Sequence, residues 1–97
     1  MKMNVKSLKY DADQKLLDFV DKKVSKLEKF FDGVDPIDVT LALTPDPANK
    51  SVKLKAHVPG EELIIERNAK TFEEAVTEAV DLMKEKIVRT KERKFDK

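Results

Sequence analysis

The stretch SVKLKAHVPGEELII, residues 51–65, decides how this chain folds. Val52, Leu54, Ala56 and Val58 alternate with Lys53, Lys55 and His57. A period of two puts the apolar set on one face of an extended strand and the polar set on the other. Pro-Gly-Glu at 59–61 then reads as a tight turn, with Gly60 free to take positive φ. The inward phase resumes at Leu63 and Ile65 and reaches Ala69; Arg67 interrupts it near the strand end, and Ile64 breaks the outward phase. The segment is an antiparallel hairpin with one dry face and one wet face. The rest of the chain must cover the dry one.

Upstream, Ile37, Val39, Leu41 and Leu43 alternate with Asp38, Thr40 and Ala42 and predict another strand, separated from the hairpin by the loop TPDPANK. Before it, Leu16, Phe19, Val20, Val24, Leu27 and Phe31 recur at spacings of three and four, which predicts an amphipathic helix over 14–31. Asp11 or Asp13 caps its start, and Gly33 and Pro36 stop it. Residues 1–8 alternate as an opening strand. Downstream, Thr71 and Glu74 in TFEE form a capping box ahead of a second helix, whose stripe is Phe72, Val76, Ala79, Val80, Met83 and Ile87. That helix is expected to end between Lys91 and Arg93, with residues 92–97 frayed.

The predicted fold is α+β, in the order β-α-β-β-β-α: a four-stranded mixed sheet with two roughly parallel helices on one face. The first two strands are parallel through a right-handed helical crossover, and the others pair as hairpins. Following the directions, both helices run the same way, so their C-terminal ends lie at the same end of the domain.

The 97 residues make one domain, 1–97. Charged residues are 40% of the chain, but 20 basic against 19 acidic nearly cancel. Nucleic-acid binding therefore requires local segregation of charge. With no cysteine, disulfides and thiol chemistry are excluded. No apolar run approaches the roughly 20 residues of a membrane span, and the N-terminus does not read as a signal peptide, so a cytoplasmic protein is expected.

Charge does segregate. On a helical wheel, Lys15, Lys22, Lys26 and Lys29 fall on one outward strip of the first helix, and Asp18, Asp21 and Glu28 on the other flank. Like charges three and four apart cost a few tenths of a kcal/mol per pair, so stability alone does not favour this strip. The second helix is acidic early (Glu73, Glu74, Glu78, Asp81) and basic late (Lys84, Lys86, Arg89, Lys91, Arg93, Lys94, Lys97). The helix macrodipole accounts for much of that lengthwise split. It does not account for the sideways segregation on the first helix. The two basic regions are expected to share one surface.

Catalysis is disfavoured. His57 is the only histidine, no Ser/His/Asp set stands out, and two glycines cannot build a phosphate loop. No cofactor, metal or small-molecule substrate is expected. RNA binding by base stacking on the sheet is disfavoured too, because Tyr10, Phe19, Phe30, Phe31, Phe72 and Phe95 all lie in helices or beside them.

Four segments in order resemble the short ribosome hibernation promoting factors and the related ribosome-associated inhibitor (protein Y) family: MKMNVKS, FVDKKVSKLEKFFD, HVPGEEL and TFEEAVTEAVDLMKEKIVRTKERK. The resemblance spans essentially the whole chain. It implies a fold similar to a double-stranded-RNA-binding domain and a non-enzymatic role. That role is occupancy of the tRNA and mRNA channel of the small ribosomal subunit under stress or in stationary phase, by a monomer that blocks tRNA binding. It further implies rRNA contacts from Lys22, Lys23, Lys26 and Lys29 and from Lys84, Lys86, Arg89, Lys91, Arg93 and Lys94. Long family members carry a second, C-terminal domain, which does not appear before Lys97. The competing reading is a small protein-interaction or oligomerisation domain that uses the open sheet face or an edge strand.

Overall fold

The computed structural model describes residues 3–8, 12–29, 36–45, 47, 49–58 and 60–95. Four strands, β1 (Met3–Leu8), β2 (Ile37–Leu43), β3 (Lys50–Val58) and β4 (Glu61–Ala69), form one sheet in the order β1-β2-β3-β4. β1 is parallel to β2, and the other two pairs are antiparallel. Helix α1 (Gln14–Val24) crosses between β1 and β2, and α2 (Phe72–Phe95) follows β4. The observed strand directions are those that send both helices the same way.

Register explains the layering. Val5, Val39, Leu54 and Ile65 stand side by side across the four strands, and so do Met3, Ile37, Ala56 and Leu63. These rows face the helices. There they meet Leu16, Val20, Val24 and Leu27 from the first helical segment and Phe72, Val76, Ala79, Val80, Met83 and Ile87 from α2. Burying a leucine or isoleucine fully contributes about 1.5–3 kcal/mol, so these stripes hold the two layers together. The next row, Ser7, Leu41, Val52 and Arg67, explains the arginine in an inward phase. Arg67 sits on the edge strand, where its side chain escapes the core and donates to Glu78 Oε1 of α2 at 3.2 Å.

The helix starts follow their caps. Asp13 Oδ1 accepts from the Leu16 amide at 2.8 Å, and Thr71 Oγ1 accepts from the Glu74 amide at 3.1 Å. Asp11 lies outside the described residues. Gly60, at φ 87°, takes the left-handed turn position between β3 and β4 that a Cβ would penalise.

Two helix ends differ from expectation. α1 stops at Val24, and the chain tightens into a 3-10 segment at Ser25–Lys29. Val24 and Leu27, three apart, stay buried in either winding, so the apolar pattern does not distinguish them. Phe31 and Gly33, the expected end of that helix, lie outside the described residues. α2, in contrast, runs past the expected stop and stays helical through Phe95. With 24 residues, it spans about 36 Å.

Candidate nucleic-acid interface

The lysines of the first helical segment stand on its outer surface. Lys22, Lys26 and Lys29 are exposed, and among the described residues no carboxylate pairs with them. The 3-10 winding changes their arrangement. At three residues per turn, side chains three apart eclipse, so Lys26 and Lys29 align on one line about 6 Å apart. In an α-helix they would be splayed by about 60°. Leu27, at 0% exposure, pins the segment to the core between them.

That line borders a groove of about 310 Å³ between the 3-10 segment and α2, lined by Lys26, Leu27, Lys29, Val80, Asp81 and Lys84. Three ammonium groups thus flank a space closed below by Leu27 and Val80, with the Asp81 carboxylate as the one acidic group in the lining. Lys22 stands one turn back along α1.

The other expected contacts distribute differently. Lys23 is half-buried, and its Nζ lies 5.6 Å from the centre of the Phe19 ring. The stem folds back over the aromatic face, a contact of about 0.5–1 kcal/mol at an exposed site. Lys86 turns toward the sheet edge, where its Nζ donates to the Ile64 carbonyl at 3.2 Å. Arg89 is exposed and, three residues on, shares the Lys86 flank. Lys84 and Lys86 lie about 200° apart around the helix, so the basic half of α2 divides between two flanks. The side chains of Lys91, Arg93 and Lys94 lie outside the described part of the structure, although α2 continues past them to Phe95.

A second polar cluster sits on the open face of the sheet. His57 Nε2 is 3.1 Å from Asp38 Oδ2, and His57 Nδ1 is 3.5 Å from Glu62 Oε1, so one imidazole ties β2, β3 and β4 together. Asn4 Nδ2 donates to Asp38 Oδ1 at 3.0 Å from β1. These contacts join all four strands, which makes the cluster a cross-strand tie. The Asn4 hydrogen bond first, and the His57 bond second, hold the Asp38 carboxyl below its ordinary 3.8.

This depression has a testable consequence. A carboxylate lowered on folding contributes stability above its unfolded value near 3.8, and that stability is lost as pH falls through the folded value. The Asp38 side chain is 41% exposed, so solvent screening keeps the contribution small. In Asn4→Ala, the Asp38 carboxyl resonance followed by NMR should titrate at higher pH than in the parent, and acid unfolding should begin slightly earlier. An unmoved midpoint would remove Asn4 as the cause.

Comparisons with known proteins bear on this geometry. Residues 3–94 match the family described as sigma 54 modulation protein / S30EA ribosomal protein. A ribosome hibernation promoting factor from Azotobacter vinelandii is 23% identical over 97 residues, covering 100% of this chain and 89% of that protein. Among solved structures, the N-terminal domain of Thermus thermophilus protein Y is similar, with TM-score 0.81 and 21% identity, over 93% of this chain and 99% of that one. A ribosomal subunit interface protein from Coxiella burnetii has TM-score 0.85 and 14% identity, over 94% and 98%. Both structures share the sheet-and-two-helix fold.

Proposed function

We propose that this chain, which belongs to the sigma 54 modulation protein / S30EA ribosomal protein family, is a non-enzymatic ribosome hibernation factor whose lysine-lined groove grips ribosomal RNA. It occupies the tRNA and mRNA channel of the small subunit as a monomer and blocks tRNA binding under stress or in stationary phase. It acts in the cytoplasm, and no helix of the described residues is long and apolar enough to cross a membrane.

One observation carries this reading. Lys26 and Lys29 are eclipsed and exposed, have no carboxylate partner among the described residues, and face Lys84 across one groove. A row of ammonium groups suits a phosphate backbone, which binds by charge and needs no base-specific contact. Lys22 extends the row, and the far end of α2 carries further basic residues about 10–15 Å beyond Lys84. The Asp81 carboxylate limits how deeply a phosphate can sit.

The test is co-sedimentation with ribosomes across a salt series. Each neutralised phosphate releases counterions, so association should fall steeply with added salt, with a logarithmic slope of about −0.7 to −0.9 per phosphate contacted. Four to six such contacts would give a slope of roughly −3 to −5. A protein-interaction domain would pellet without that slope, or not pellet at all, and either result would overturn the proposal.

A further inference from the structure

The face of the sheet opposite the helices carries its own cationic site. A depression of about 290 Å³ runs along β2, lined on this face by Asn4, Lys6, Asp38, Thr40, Lys53 and Lys55. Its shape follows from the register. Lys6, Thr40 and Lys53 stand in one row across β1, β2 and β3, so the short Thr40 forms a floor between two long lysines. Lys55 lies two residues from Lys53 on the same wall, about 6.8 Å away, and Lys6 stands about 9.5 Å across.

The face as a whole is not basic, and its charges are sorted. Glu62 and Glu66 lie on β4, beyond the β3 wall. Asp38 closes one end of the depression, but its two oxygens already accept from Asn4 and face His57. Lys55 reaches Glu62 at 3.7 Å, a loose contact between half-exposed groups. Lys6 and Lys53 pair with no carboxylate among the described residues, even though Glu66 is the register partner of Lys53. A sheet optimised for stability alone would pair such cations across strands.

We infer that this trough is a second phosphate-binding surface, and that the domain holds two RNA segments at once, one on each side of its sheet. The identity of the ligand as RNA rests on the function proposed above; the trough itself does not. Chemistry favours phosphodiester backbone over bases, because the open face offers no aromatic ring among the described residues for stacking. The trough's side chains on this face are three lysines, Thr40, Asn4 and Asp38, which suit an anion, and the preference for RNA over an acidic peptide comes from the function proposed above. Ligand phosphates spaced a few ångströms apart would meet Lys53 and Lys55 together, with Lys6 closing from the other side. With one grip on the helix side and one on the sheet side, the domain acts as a wedge between two strands rather than a patch on one.

The experiment is an amide-resolved NMR titration of the whole chain with a short oligouridylate, with polyglutamate as the competing anion. Amides of Lys6, Thr40 and Lys53 should shift, separately from those of 26–29. The Lys6→Gln, Lys53→Gln double variant should lose the sheet shifts and keep the groove shifts, while the Lys6→Arg, Lys53→Arg pair should keep both. On ribosomes, the glutamine pair should reduce the salt slope by about 2. Sheet amides that do not move with oligouridylate, that move equally in the glutamine pair, or that answer polyglutamate more strongly would overturn the inference. Failure of the groove reading would show separately, as still amides at 26–29 beside moving sheet amides, and would leave the trough standing.

Discussion

Replacing Lys26 and Lys29 together by glutamate should cut ribosome association by on the order of 100-fold while leaving the melting temperature nearly unchanged. Both side chains are exposed and aligned on one line of the 3-10 segment, so the double change turns two attractions for phosphate into two repulsions at the same spot. Salt should rescue part of the loss, because the repulsion is screened. The fold should not suffer. Surface substitutions away from caps and core usually stay within about 0.5 kcal/mol, and the like-charge pairs along this strip are relieved. Wild-type association in the double variant, measured by co-sedimentation at low salt, would exclude the groove as the binding surface. Reversal at Arg89, on the other flank of α2, should cost much less.

Leu27→Ala should be the most damaging single change to stability near the site. Leu27 is 0% exposed, and truncating a buried leucine costs about 2–5 kcal/mol, depending on how far the cavity collapses. For a domain of this length each kcal/mol moves Tm by about 4–8 °C, so a drop of roughly 8–40 °C is expected in calorimetry. Leu82→Ala is the control, because Leu82 is 36% exposed and its loss should cost clearly less. A Tm for Leu27→Ala within a few degrees of the parent would mean that the 3-10 segment is not anchored through this side chain. Below the melting range, the same variant should also bind ribosomes more weakly, since Leu27 holds the two flanking lysines in line.

Strand order and layering were legible in the sequence because their signal is repeated. Val52, Leu54, Ala56 and Val58 state the same phase four times, and all are buried. Arg67 showed as an irregularity, but its partner could not be read, because Glu78 comes within reach only once α2 crosses the edge of the sheet. The winding of Ser25–Lys29 was hidden for a different reason. Buried residues at 24 and 27 satisfy 3.0 and 3.6 residues per turn alike, yet that difference sets whether Lys26 and Lys29 align.

Among the described residues, the expected single basic surface divides for a geometric reason. Chain direction fixes position along the helices, and it brought Lys84 to Lys26 and Lys29. It does not fix rotation about the axis, which carried Lys86 to the opposite flank. The trough on the open sheet was not legible at all. It depends on which residues of β1 and β3 stand level with Thr40, and register across two strands is not written in either strand alone.

The contact between Lys86 and the Ile64 carbonyl has a consequence for crowding. β4 is an outer strand with exposed Ile64 on its open face, the kind of border along which two molecules can zip together. A tethered ammonium already occupies one of the carbonyls that an incoming strand would use, and it carries a charge that a second copy would bring with it. The same helix that lends Lys84 to the groove thereby acts as a guard rail against edge-to-edge pairing along β4.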